Sequence, residues 1–277
     1  MTAKIFSNTV LSSLRRAVFA AAMLGSVLMV LNALDVTVEI TGFTADMLAE
    51  KRNDLGFSAA YFPYAYVMHF FCGIVISWDC IEDFSTNNAE LLAASRLPAH
   101  KWFFGKLIAY ALLCFTFSLA ISAVYFTFSV FKKTDYGFFE ILDANTFFRL
   151  LIQCLRIGLA GFLTYSGLAF FFTMVFRSPA AGLLTCTAYR YAVHAFSQQG
   201  AMGFWYKTTV FFLPERTTSF FFGYTGNTVE DICRGLSVWG EYNAQRAWTG
   251  YLTVCLIGVG LLAGGYLLAR SRLKRLK

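Results

Sequence analysis

The side chains able to do chemistry are few in this chain, and their spacing excludes more reactions than it permits. His69, His100 and His194 stand far apart. Neither HExxH nor GxSxG occurs, and no acid pair is read on one helix face, so hydrolysis has no constellation to use. The cysteines number seven. Cys72, Cys114, Cys154, Cys186 and Cys255 fall in apolar stretches, where a free thiol acts as a small hydrophobe. Cys80 lies at the edge of such a stretch and Cys233 in a polar one, and no CxxC or Cys/His spacing suggests zinc. Gly105-Lys106 lacks the upstream glycine and the following Ser/Thr of a phosphate-binding loop. The expectation is a chain with no catalytic residue, no metal site, no disulfide framework and no ATP site of its own.

Polar groups inside apolar segments are the second candidates. Arg156 and Arg190 each cost about 2.5–3.5 kcal/mol at the centre of a membrane helix. Gln153 precedes Arg156 by one turn, and Arg190 and His194 sit at i, i+4. Such groups line a polar path, or bind lipid phosphate from the outer half, when they face a cavity or partner. Alternatively their long stems reach the outer headgroups or form a structural pair. Both readings stay open. His69 is expected to be a buried histidine with its hydrogen bonds satisfied.

The third candidate is the stretch "IEDFSTNNAELLAASRLPAHKWFFGKL", residues 81–107, between two strongly apolar segments. Glu82, Asp83 and Glu90 lie near its start and Arg96, His100, Lys101 and Lys106 follow. Thr86 can cap a short helix that carries Glu90, Leu91 and Leu92, with acid near its N-terminus and base near its C-terminus as the dipole prefers. Pro98 ends that helix. Leu91 and Leu92 give it an apolar face that fits a groove on a soluble partner. The plainer alternative is a solvated connector.

The elements that position these residues follow from composition. The 277 residues are 57% hydrophobic, 18% aromatic and 14% charged. A soluble domain carries about 25% charged residues, so the class is an all-α, multi-pass membrane protein. Segments of spanning length lie at about 17–34, 58–78, 104–131, 147–176, 179–197 and 248–269. The third and fourth exceed what a bilayer needs and are expected to tilt or project. The first is read as a retained helix, because no small-residue cleavage site follows it.

Lys4, Arg15 and Arg16, then Arg96, Lys101 and Lys106, then Arg177, and finally Arg270, Arg272, Lys274, Arg275 and Lys277 all fall on one face of a six-span layout. By the positive-inside rule that face, with both termini and residues 79–106, is cytoplasmic. The same rule accounts for the net charge of +7 without nucleic acid. Residues 1–16 carry apolar positions at helical spacing and fit an interfacial helix or a frayed tail. In residues 198–247, Ala201 to Leu213 is apolar but too short to span, which suits a re-entrant or interfacial helix. Gly260 and Gly264 form a GxxxG expected to pack helices closely. One transmembrane domain, residues 1–277, is the simplest organisation.

Residues 83–107 resemble the segment between the second and third helices of ABC-2-type transporter permeases. Asp83-Phe84, the Thr86-Asn87-Asn88 cluster, Leu91-Leu92, Ser95-Arg96 and Lys106-Leu107 take the places of that pattern. The usual Gly-Thr is missing, and Pro98 follows the Ser-Arg. In that family the stretch is a coupling helix that docks on a separate ATPase. The resemblance therefore implies an ATPase-coupling role for Glu82, Asp83, Phe84, Thr86, Asn88, Glu90, Leu91, Leu92 and Arg96. It also implies six helices, both termini inside, and a membrane-dipping hairpin between the fifth and sixth. Permeases of the family act in pairs, as homodimers or heterodimers.

The function expected is the membrane subunit of an ABC exporter in a cell membrane, the bacterial cytoplasmic membrane. Its partners would be cytoplasmic ABC ATPase subunits, a second permease subunit and membrane lipid. ATP and Mg would be bound by the ATPase, and this chain would hold no cofactor and be no enzyme itself. Phe and Tyr in the path favour amphipathic or hydrophobic cargo, such as a peptide antimicrobial, a lipid or a drug. The alternative is a stand-alone secondary transporter or channel, which predicts ionisable groups at mid-bilayer and broken helices.

Overall fold

The computed structural model describes residues 10–11, 23–27, 67–84, 98–133, 144–198 and 244–275. Every regular element among them is helical. In chain order they are α1 (His69–Phe71), a π-helical turn (Cys72–Ile76), α2 (Ser77–Asp83), α3 (Ala99–Lys133), α4 (Ala144–Phe176), α5 (Pro179–Gln198) and α6 (Ala244–Arg275). Residues 67–83 run as one unbroken rod through α1, the π turn and α2.

Ala99–Phe128, Cys154–Phe176 and Gly250–Arg275 are long and apolar enough to cross a membrane. The protein is thus a multi-pass membrane protein. At 1.5 Å per residue α3 is about 50 Å long, well beyond a hydrocarbon core of about 30 Å. α3 begins earlier than the apolar run suggests, directly after Pro98, whose carbonyl accepts from the amides of Lys101 (3.0 Å) and Trp102 (3.2 Å). Proline fits there because it gives no donor at a helix start, where donors are unmatched anyway. α6 likewise continues to Arg275. Its last-turn Arg272, Lys274 and Arg275 are good helix formers and complement the dipole at that end. Arg177 closes α4 with a left-handed backbone (φ 55°), and Pro179 opens α5 two residues later.

The helices alternate in direction. Gly73 of the π turn faces Leu183 and Cys186 of α5, and Gly182 faces Ser77 and Thr173, so α5 runs against both α2 and α4. Phe103 packs on Phe170 with ring centroids 5.4 Å apart, while the Cys154 thiol lies 3.8 Å from the Ser122 hydroxyl, so α3 runs against α4. α6 runs parallel to α4. The Tyr251 hydroxyl donates to the Arg156 carbonyl (3.2 Å) near one end, and the Arg272 guanidinium donates to the Met174 carbonyl at the other. The ends of α2, α4 and α6 and the starts of α3 and α5 therefore share one end of the bundle. Lys101, Arg177, Arg270, Arg272 and Lys274 belong to that end.

The core is aromatic. Phe71 stacks on Phe117 (5.3 Å), and Phe103 also meets Tyr266 (5.2 Å). In lipid, burying apolar surface between helices gains little, so close packing must hold them. Small residues allow it along α4 and α6, where Gly167 and Gly258 face each other. On α6 the buried side chains are Tyr251, Val254, Leu262, Ala269 and Leu273, while Leu252, Leu256, Val259 and Leu267 form an exposed apolar stripe. Phe104, Ile108 and Leu112 do the same on α3. Such stripes suit contact with acyl chains.

Candidate functional site

Helical spacing builds the site from both sides of the 85–97 stretch. Asp79 and Asp83 are one turn apart on α2 and share a face. Trp102, Lys106 and Tyr110 are each one turn apart on α3. The two faces meet because α3 runs back along α2. Lys106 Nζ donates to Asp79 Oδ2 at 2.5 Å and also pairs with Asp83 Oδ2. The Tyr110 hydroxyl donates to Asp79 Oδ2, and Trp102 Nε1 donates to Asp83 Oδ2 at 2.8 Å. Phe84, in the turn after α2, sets its ring edge-on to Trp102 with centroids 5.4 Å apart. The result is a three-rung ladder of Trp102–Asp83, Lys106 with both acids, and Tyr110–Asp79.

The ladder lies largely out of water. Asp79 is 1% exposed and Lys106 8%. In such surroundings an ion pair is retained or lost as a unit, since removing one partner leaves a buried charge that costs about 3–5 kcal/mol. Burial pushes the Asp83 carboxyl above its ordinary value of 3.8; the Lys106 ammonium pulls it back and the Asp79 carboxylate adds to the rise. Beside the ladder lies a small apolar pocket of about 10 Å³, lined by Ile76, Trp102, Lys106, Tyr110, Phe170 and Leu262 among others.

Spacing along α2 was the signal available in the sequence. Asp79 and Asp83 are an acid pair on one helix face, contrary to the expectation that none exists. The apolar run of the second span ends at residue 78, but the helix continues to Asp83 and carries both acids on one face. Asp79, Trp102 and Tyr110 are not among the residues the sequence points to, and Lys106 enters there as a cytoplasmic cation and in the Lys106-Leu107 pair of the family pattern.

The expected coupling residues separate into two groups. Glu82 is exposed at the end of α2, Asp83 is in the ladder and Phe84 packs on Trp102. Thr86, Asn88, Glu90, Leu91, Leu92 and Arg96 lie outside the described residues, as do residues 1–9 and 199–243.

Of the expected path residues, His69 is 1% exposed and Arg190 4%. The two lie close enough to interact electrostatically. His69 is buried as expected, but among the described residues neither ring nitrogen has a hydrogen-bond partner. Its ring is instead set among those of Phe70 (4.2 Å), Tyr165 (5.9 Å) and Tyr191 (5.9 Å, edge-on), which crowd it with carbon. Arg156 is half-buried on α4. Gln153 and His194 are placed by their backbones in α4 and α5, and their side chains lie outside the described residues. Gly264 packs against Phe171, whereas Gly260 faces open space among the described residues, so the two glycines share no packing surface there. Gly258 and Gly265 make the close approaches instead, because they lie on the face of α6 that meets α4.

The family model for ABC-2 family transporter proteins matches residues 1–203. The chain belongs to that family. No curated protein matches it. The matched part of this ABC-2-type permease includes the ladder, the 85–97 stretch it brackets and helices α1 to α5. α6 lies beyond the match and still packs along α4 from Arg156 to Met174 through Tyr251, Gly258, Gly265 and Arg272.

Proposed function

We propose that this permease is the transmembrane subunit of an ATP-driven ABC exporter, powered by separate cytoplasmic ATPase subunits and paired with a second permease subunit. It spans the membrane six times with both termini inside, and residues 79–106, made of the end of α2, the 85–97 stretch and the start of α3, form the cytoplasmic coupling region. Lys101, Arg177, Arg270, Arg272 and Lys274 gather at one end of the bundle, the distribution that the positive-inside rule assigns to the cytoplasm. The observation that carries the reading is the ladder at the base of the 85–97 stretch. A segment that merely connects two helices has no need of one. A segment that transmits a push needs a firm attachment to both. Cargo is amphipathic or hydrophobic, in keeping with a bundle rich in Phe and Tyr, and the chain itself hydrolyses nothing.

Co-purification tests the proposal. The permease should bring down an ATPase whose hydrolysis is vanadate-sensitive. Glu90→Lys, or Leu91→Asp with Leu92→Asp, should weaken that association while the bundle stays folded. Full transport by this chain alone in liposomes would refute it and favour a stand-alone transporter.

A further inference from the structure

We propose that Lys106 is a positioning residue for energy coupling. By holding Asp79 and Asp83 together it joins the two feet of the 85–97 loop into one block, so that a push on the loop moves α2 and α3 as a unit. The inference rests on the reading of that loop as the ATPase-coupling segment.

Three observations lead to it. First, Lys106 lies two turns into α3, about 12 Å along the axis from Pro98. A lysine there ordinarily extends its stem to reach water at the helix end. This one is 8% exposed and points across to α2 instead. Second, the rungs use acceptors on one helix and donors on the other, each set repeating every four residues. Sliding or rotating α3 against α2 breaks more than one rung, so the ladder resists both motions. Third, the ladder brackets the loop closely. Asp83 is two residues from its start, and the Trp102 amide donates to the carbonyl of Pro98, the residue after its end. Among the described residues, these rungs are the nearest links between α2 and α3 on either side of residues 85–97.

Lys106 touches neither nucleotide nor cargo in this scheme. Its role is to stop the two helices from separating when the loop is displaced. If the feet could splay, a displacement of the loop would be absorbed at its base and would not reach the long helices α3 and α4.

Hydrogen exchange on the permease–ATPase complex in nanodiscs tests this, with and without vanadate trapping. In the wild type, trapping should shift exchange together in residues 85–97, in Ser77–Asp83 and in the first turns of α3. The charge-neutral triple variant Lys106→Met, Asp79→Asn, Asp83→Asn removes the lock without leaving a lone buried charge. In the trapped complex it should show the shift in 85–97 and lose the concerted shift in Ser77–Asp83. Asp83→Asn, which retains the Lys106–Asp79 contact, should show a smaller loss and decides the matter if the triple variant does not fold. A concerted shift that survives in these variants overturns the inference while leaving the exporter reading intact. Failure of the wild type to bind an ATPase overturns both.

Discussion

Gly258 of α6 lies against the backbone of Leu163 on α4, so that a Cβ at position 258 would fall 2.6 Å from the Leu163 carbonyl oxygen. A Cβ at Gly167 would in turn fall 2.7 Å from the Gly258 carbonyl oxygen. The obstacles are backbone atoms that no rotamer change can move. Gly258→Ala should therefore force α4 and α6 apart and cost about 1–3 kcal/mol, the usual penalty for overpacking. Gly260→Ala meets open space among the described residues and should be neutral. Melting temperatures of the two variants in detergent check the contrast; equal values would mean that α4 and α6 do not cross there.

The ladder makes a prediction about stability separate from coupling. Lys106→Met leaves Asp79 and Asp83 without their cation and should destabilise the fold by about 3–5 kcal/mol. Adding Asp79→Asn and Asp83→Asn removes the stranded charges and should recover much of that loss. Denaturation of the single and triple variants in the same detergent measures it. A triple variant weaker than Lys106→Met would show that the charges are not what the pocket depends on.

Asp83 gives a pH dependence with a definite sign. Its carboxyl is raised above 3.8 by burial, against the pull of Lys106. From that value upward to the folded value, the folded state holds the proton and the unfolded state does not. Stability from this group is therefore present at low pH and falls as pH rises through that window. Asp83→Asn should flatten the slope. A steeper slope, or one of opposite sign in the wild type, would place the carboxyl below its ordinary value. Thermal unfolding between pH 4 and 7 reads the difference.

Cys72 and Cys114 test the pairing of the π turn with α3. Their sulfurs lie 3.9 Å apart in the core. Membrane-permeant oxidants such as iodine should link them within one chain, and Cys72→Ser should abolish that link. Peptide mapping without reductant detects it. A Cys114 that links only to other partners would contradict the placement of α3.

Much of the architecture was legible in the sequence because lipid imposes a simple demand. A segment that crosses it must be long, apolar and helical. The runs read at 104–131, 147–176, 179–197 and 248–269 all fall within described helices. The Lys and Arg at their ends place Lys101, Arg177 and the Arg270–Arg275 tail on one face, without reference to any contact. The boundaries were less legible. α3 starts at Ala99 and α6 runs to Arg275, since polar residues continue a helix as readily as apolar ones.

What the sequence determined by itself was the class, the family resemblance and the importance of the polar stretch after residue 80. Composition and a degenerate pattern carry those, and neither depends on which residues touch. Only the tertiary structure decided that Lys106 turns inward to Asp79 and Asp83, that Gly258 and not Gly260 sets the crossing with α4, and that the nitrogens of His69 lack partners among the described residues. Each depends on which face of one helix meets which face of another. Spacing along a chain gives the faces of a helix, but only packing assigns each face its neighbour.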